Sequence, residues 1–272
     1  MTAPDSTGIG PDEHMAVAAS REIGDGELAF IGTGLPMVAA YLAKATHAPN
    51  VTLMFESGII DPRPVDLATG VGDYRLVHGA TKIAGTAYAL SLLQQGKVDI
   101  GFLGTAEIDA YGNLNSTVIG PYERPKVRLP GSGGANDIAS MAKRFVVIAR
   151  IDKRRFVGTL QYLTTPGFLD GPGARERAGL PGGGPVRVIT DLAILGFHPE
   201  TRRLRIEQLY PGVGVEEVQA KCGFALDAAD DVREAPPPTP QQLHLLRDVI
   251  DPTGVYIGSR APSRASSTER TS

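Results

Sequence analysis

The chain of 272 residues has no tryptophan, one cysteine and few aromatics of any kind. A lone cysteine excludes an internal disulfide framework and suits a reducing compartment. That residue, Cys222, closes the run E-E-V-Q-A-K-C-G-F, where a buried thiol at a helix end is expected rather than a nucleophile. No charge of one sign prevails. The 27 basic and 30 acidic residues leave a net charge of −3, so the electrostatic footprint of a nucleic-acid-binding protein is missing. No apolar run approaches the roughly 20 residues of a membrane span. The opening M-T-A-P-D-S-T-G has neither the basic nor the apolar region of a secretory signal. The expectation is a cytoplasmic protein that binds neither membrane nor nucleic acid.

Several chemistries are also missing. The five histidines (His14, His47, His78, His198 and His244) are scattered, and no pair has metal-ligand spacing. The stretch G-T-G-L-P at 32–36 lacks the third glycine of a dinucleotide fingerprint, and no glycine run leads into G-K-[ST]. There is no G-x-S-x-G nucleophile elbow.

Glycine and proline are plentiful, 33 and 21 residues, and they cluster in short motifs instead of a repeat. That pattern predicts many tight strand-to-helix turns. A helix is expected through M-A-V-A-A-S-R-E-I, then a strand at Leu28 to Ile31 and a helix entered at Pro36. Proline suits a first helical turn, where its missing N–H would have no partner. With the strand V-T-L-M-F ending at Phe55, residues 28 to 55 read as one β-α-β unit with parallel strands. A second helix and strand are expected at 86–96 and 98–104, and another strand at 144–150. Alternating runs between 155 and 207 predict antiparallel hairpins added to the sheet. A-P-P-P-T-P at 235–240 reads as a stiff connector to a last helix at 241–250. The fold class is α/β: an open, mostly parallel sheet with flanking helices and added antiparallel strands. One domain is expected over 13–258, with a loose arm at 1–12 and a disordered tail at 259–272.

Two stretches point to chemistry. The apolar run ending at Phe55 passes straight into Glu56, Ser57 and Gly58, which holds a carboxylate at the end of a strand. Ligands of open α/β sheets bind outside the carboxyl ends of the strands, so Glu56 is the best candidate for covalent catalysis. A solvated strand-end acid is the plainer reading. The second stretch, G-S-G-G-A-N-D at 131–137, offers consecutive backbone N–H groups ahead of a helix, as an anion cradle or oxyanion hole. The plainer reading there is a glycine turn, with Asn136 or Asp137 capping the helix.

These motifs, with G-N-L-N-S-T at 112–117 and T-T-P-G-F-L-D-G-P-G-A-R-E-R-A-G-L-P at 164–181, resemble the B subunits of glutaconate-type CoA-transferases, which belong to class I. The resemblance covers about residues 13 to 258 and implies the CoA-transferase fold. It also implies a ping-pong transfer in which Glu56 is the nucleophile and becomes a glutamyl-CoA thioester. Ser132, Gly133, Gly134 and Ala135 would bind the CoA thioester and stabilise oxyanions. Ser57, Gly58, Asn113 and Asn115 would line the substrate pocket, with Gly58 letting the substrate approach. Coenzyme A enters as substrate and covalent intermediate, with no permanently bound cofactor and no metal. The partner implied is the companion A subunit of a heteromeric CoA-transferase, without which the chain is inactive. The acyl group implied is short and dicarboxylic. Two departures, the stretch at 74–85 and Arg63, bear on which acid is used. Arg63 would either pair with a distal carboxylate or sit on the surface of the D-P-R-P turn. Relatives of this fold decarboxylate acyl-CoA thioesters or hydrolyse their carbon–carbon bonds. In those the glutamate is replaced, so its presence here favours transfer.

Overall fold

A computed structural model describes residues 8–258. Helix α1 (Pro11–Ser20) precedes a β-α-β unit of β1 (Leu28–Ile31), α2 (Leu35–Ala45) and β2 (Thr52–Phe55). A tight turn joins β2 to β3 (Ile59–Ile60), and β4 (Lys82–Ile83) leads into α3 (Thr86–Gln94) and β5 (Ile100–Leu103). Two small ladders follow, β6 (Glu107–Ile108) with β7 (Leu114–Asn115) and β8 (Val118–Ile119) with β9 (Val127–Arg128). Then come α4 (Ala135–Met141), β10 (Arg144–Ile148), α5 (Ala174–Arg177), β11 (Pro185–Ile189), β12 (Ala193–Phe197) and β13 (Leu204–Leu209). The chain continues through α6 (Val215–Lys221), β14 (Asp227–Glu234) and α7 (Pro240–His244), extended by a π-helical segment at Leu245–Ile250.

Ten strands form one sheet in the order β14-β13-β12-β11-β10-β5-β1-β2-β3-β4. Its centre, from β11 to β2, is parallel. The hairpin β11–β12–β13 adds the expected antiparallel strands on one side, and β2–β3–β4 adds further antiparallel strands on the other, where none were expected. The central strands are buried almost throughout, as befits a parallel sheet covered on both faces. Successive side chains alternate between those faces. Ala29, Ile31, Leu53 and Phe55 pack with Met37 and Leu42 of α2 and Ala16 of α1. Phe30, Met54, Leu103 and Phe145 pack on the other side with Leu93 of α3 and Ile138 of α4.

The β-α-β expectation over 28–55 is met, with Leu28 to Ile31 in parallel register against Thr52 to Phe55. Cys222 is buried at the end of α6, and burial raises its thiol pKa. The arm is shorter than expected: α1 already begins at Pro11, and Asp12 pairs with Arg150 at 2.6 Å. Residues 1–7 of the arm and the tail at 259–272 lie outside the described residues. Strand β14 carried no signal, because D-A-A-D-D-V-R-E is exposed on both faces and needs no apolar alternation. Among the described residues no helix is long and apolar enough to cross a membrane.

Gly101 of β5 sets how closely α4 lies on the sheet. A Cβ there would meet Ile138 Cγ2 at 2.2 Å, so only glycine admits the helix at this depth. Gly101→Ala should cost about 1–3 kcal/mol by overpacking. In urea melts, the cost of Gly101→Ala combined with Ile138→Ala should fall below the sum of the single costs. Strict additivity would show that the contact does not set the spacing.

Candidate active site

The carboxyl ends of β1, β2 and β5 open into a cleft of about 220 Å³. Gly32 after β1, Glu56 after β2 and Gly104 after β5 form its floor, and Ser116, Ser132 and Ala135 stand on the facing side. This is where the geometry of an open parallel sheet places ligands.

Glu56 occupies a tight turn. The Gly58 N–H donates to the Phe55 carbonyl at 2.8 Å, which leaves Glu56 and Ser57 at the two central positions. The half-buried Glu56 side chain then leans toward the G-S-G-G-A loop. There the Gly134 N–H donates to Oε1 at 3.1 Å. Oε2 accepts no hydrogen bond among the described residues, so one carboxylate oxygen is held and the other is free. A Cβ on Gly134 would stand 3.4 Å from Glu56 Cδ, so the loop backbone touches the carboxylate directly.

Of the expected donors, the Gly134 N–H is the one that reaches Glu56 among the described residues. The Ala135 N–H is committed to the Ser132 carbonyl at 2.9 Å. Ser132 Oγ accepts from the Asn136 N–H at 3.1 Å, so Ser132 takes the capping role expected of Asn136 or Asp137. Asn136 instead donates its side-chain amide to the Thr164 carbonyl at 2.9 Å. Gly133 lies beside the carboxylate, its missing Cβ 3.5 Å from Oε1.

Four expectations for the pocket are corrected. Gly58, at φ 80°, faces away from the cleft: a Cβ there would fall 2.1 Å from the Gly85 carbonyl oxygen, so the glycine admits another backbone and not a substrate. The Ser57 hydroxyl is buried under the turn with no hydrogen-bond partner among the described residues. Asn113 and Asn115 are buried and fully used. Asn113 bonds Asp109 and the Leu169 carbonyl, and accepts from the Gly167 and Leu169 N–H groups. Asn115 donates to Glu107 at 2.7 Å and to the Val118 carbonyl at 2.8 Å, and accepts from the Thr117 N–H at 3.0 Å. Both amides hold loops together instead of facing a substrate. Arg63 is exposed and lines a different pocket, beside Tyr41 and Val249, as a surface residue of its turn.

Other wall residues went unmarked in the sequence. Ser116 secures the loop through its Oγ to the Gly131 carbonyl at 2.9 Å, while the Gly131 N–H returns to the Ser116 carbonyl at 2.8 Å. Gly104 carried a readable signal, a glycine directly after an apolar strand, as at Gly32. The long run at 164–181 contributes architecture. Its buried Arg175 donates to the carbonyls of Pro166, Gly167, Ala139 and Gly182, which ties α4 to that run.

Residues 12–221 match the family model described as coenzyme A transferase. The B subunit of the 3-oxoadipate CoA-transferase of Pseudomonas knackmussii is 42% identical over 250 residues, covering 92% of this chain and 96% of that protein. The B subunit of the glutaconate CoA-transferase of Acidaminococcus fermentans is 39% identical, covering 93% and 97%. The crystal structure of glutaconate coenzyme A-transferase from Acidaminococcus fermentans superposes with a TM-score of 0.87 at 38% identity, over 94% of this chain and 100% of that one. The decarboxylase AibA/AibB follows at 0.80 with 25% identity, over 92% and 98%.

Asn115→Ala should strand several buried polar groups, Glu107 among them, and cost roughly 2–4 kcal/mol. Thermal melts should show a fall on the order of 5–15 °C for a chain of this size. A melting temperature within a degree of the parent would mean that water takes over these bonds.

Proposed function

Because the chain belongs to the coenzyme A transferase family, we propose that it is the nucleophile-bearing B subunit of a heteromeric CoA-transferase. It moves CoA between a short dicarboxylic acyl-CoA and a carboxylate acceptor through a thioester on Glu56. The observation that carries this reading is the asymmetric carboxylate, with Oε1 on the Gly134 N–H and Oε2 unbonded in the cleft.

The chemistry follows from that asymmetry. Oε2 attacks the thioester carbonyl, the C–S bond breaks, and a mixed anhydride and CoA thiolate form. The thiolate then adds to Glu56 Cδ. The Cδ–Oε2 bond breaks, the donor acid leaves with that oxygen, and glutamyl-CoA remains. An acceptor carboxylate runs the same steps backward and returns one of its own oxygens to Glu56. Each time Cδ becomes tetrahedral, negative charge collects on Oε1, where the Gly134 N–H already points. Such a preorganised donor contributes about 2.7–4 kcal/mol. Thioester and anhydride are both activated acyl groups, so no nucleotide is consumed. Water must be kept from both, and Phe102, Leu103 and Ile138 supply apolar walls.

A companion A subunit would complete the enclosure. Support comes from the similar proteins that are named as B subunits and from exposed apolar residues close to the site. Ile83 is 61% exposed just before the Ala84–Gly85 backbone that packs on the Glu56 turn, and Leu163 is 50% exposed beside Thr164. The names of the relatives also motivate the dicarboxylic substrate class, glutaconate or 3-oxoadipate in kind.

Incubating the chain and its companion A subunit with glutaconyl-CoA or a similar thioester, without acceptor, should add the mass of CoA to this chain. Glu56→Gln should abolish the adduct and lower turnover by at least about 10³-fold. Release of carbon dioxide or a shortened acyl-CoA without an adduct would instead assign the decarboxylase or hydrolase branch. A second pair of variants probes the donor. Gly134 has φ −79°, which proline also adopts. Gly134→Pro removes the N–H and sets a ring carbon against Oε1 in its place, and should lower kcat by at least about 10²-fold, while Gly134→Ala keeps the donor and most of the activity. Equal losses in both would remove the oxyanion role.

A further inference from the structure

We propose that Val71 is a specificity residue, a fixed apolar wall that selects the acyl group by chain length at the Glu56 cleft. The inference deepens the transferase reading and rests on it, by naming the side chain that reads the stem of the acid. Val71 lies in the loop between β3 and β4, and it lines the same cleft as Glu56. The loop reaches the cleft from the face of the sheet opposite α4. Its buried residues Leu67, Ala68 and Leu76 pack in the core that holds α1 and α2. Ile138 and Ala139 of α4 belong to the core on the other face. Val71 and Ile138 thus flank the cleft from either side, with Glu56 at the carboxyl end of β2 between them.

The tip of this loop is held from several directions. The Asp73 N–H donates to the Gly70 carbonyl at 3.0 Å, which puts Val71 and Gly72 at the two central positions of a turn. Asp73 Oδ2 accepts from the Thr69 N–H at 2.9 Å and from its hydroxyl at 3.1 Å. Arg75 Nη1 donates to the Leu67 carbonyl at 2.7 Å, and the Tyr256 hydroxyl donates to the Ala68 carbonyl at 2.6 Å. Tyr256 is itself placed by the buried Asp251, whose Oδ2 accepts from the Tyr256 N–H at 2.8 Å. A β-branched side chain has few χ1 choices, so valine on a pinned backbone makes a fixed wall.

The glycines around Val71 point to a ligand. Gly70 and Gly72 flank it, and Gly32 lies on the cleft floor. None of the three has a positive φ, and a Cβ on any of them would meet nothing within 4 Å. Neither the turn nor the packing of this chain requires glycine there, so the bare backbone leaves space beside Val71. The cleft lining has no lysine, arginine or histidine among the described residues. Val71 therefore reads the apolar stem of the acid and not its distal charge. One methylene more or less in an apolar pocket changes kcat/KM by about 10–200-fold, enough to separate short dicarboxylic acids.

The test follows formation of the CoA adduct from glutaryl-, adipyl- and pimelyl-CoA, in the complex with the companion A subunit and without acceptor. Val71→Ala should shift the ratio of the pimelyl to the glutaryl rate about tenfold toward the longer chain, and Val71→Leu about tenfold toward the shorter. Val71 belongs to neither apolar core, so both variants should keep the fold. Parental ratios in both variants would overturn the proposal. So would a common fall for all three thioesters, which would make Val71 a support of the site and not a filter. Loss of the companion chain from either variant in size-exclusion chromatography would overturn it too, by making Val71 an interface residue. Calorimetric binding of the same thioesters to complexes carrying Glu56→Gln separates the filter from the chemistry. There the Kd ratios should shift in the same directions. If the parent forms no CoA adduct, the transferase reading falls, and the Kd ratios by themselves uphold or overturn the filter.

Discussion

The geometry of the candidate site depends on one hydrogen bond between segments 78 residues apart, from the Gly134 N–H to Glu56 Oε1. A free carboxylate at a strand end would rotate and offer either oxygen. Held at Oε1, it leaves Oε2 unbonded at the cleft and keeps a donor beside Cδ, the arrangement on which the proposed transfer relies. The bond requires that the β2–β3 turn and the start of α4 approach each other from different parts of the chain. Each approach rests on a missing side chain: Gly58 lets the turn press against the Gly85 backbone, and Gly101 lets α4 settle onto β5.

The loops that meet at the cleft are irregular, and their backbone polar groups would be costly to bury unpaired. Side chains supply the missing partners. Asn113, Asn115 and Arg175 together bond backbone groups of the stretches at 117–118, 139, 166–169 and 182. Ser116 and Gly131 clasp each other, and Asn136 reaches Thr164. Rigidity at the site therefore comes largely from polar residues outside the cleft, Asn113, Asn115, Asn136 and Arg175 among them. They also explain why a run such as 164–181 can be distinctive without being catalytic: a buried guanidinium needs a fixed set of carbonyls around it.

Much of the scaffold was legible in the sequence because its signals are local. Apolar strand runs, proline at a helix start and glycine after a strand place β1, α2, β2, β5 and β10 within a residue or two. Glu56 was legible for the same reason, since a carboxylate directly after a buried strand of an open sheet must lie at the ligand-binding edge. Strand β14 was missed because an edge strand exposed on both faces has no apolar period. The pocket assignments of Ser57, Gly58, Asn113 and Asn115 failed for a different reason. A polar residue in a glycine-rich motif reads the same whether it faces a ligand or a backbone carbonyl.

By itself the sequence determined the parallel core, the position of the acid at the end of β2 and, through four motifs, the resemblance to the CoA-transferases. These are matters of periodicity and residue type over short spans. Only the tertiary structure decided that Gly134 alone of the loop donors faces the carboxylate, that Arg63 belongs to another pocket and that Ser132 caps α4. Direction in space settles such questions. A hydrogen bond depends on a few ångströms and an angle between groups far apart in the chain, and neither is written in their spacing.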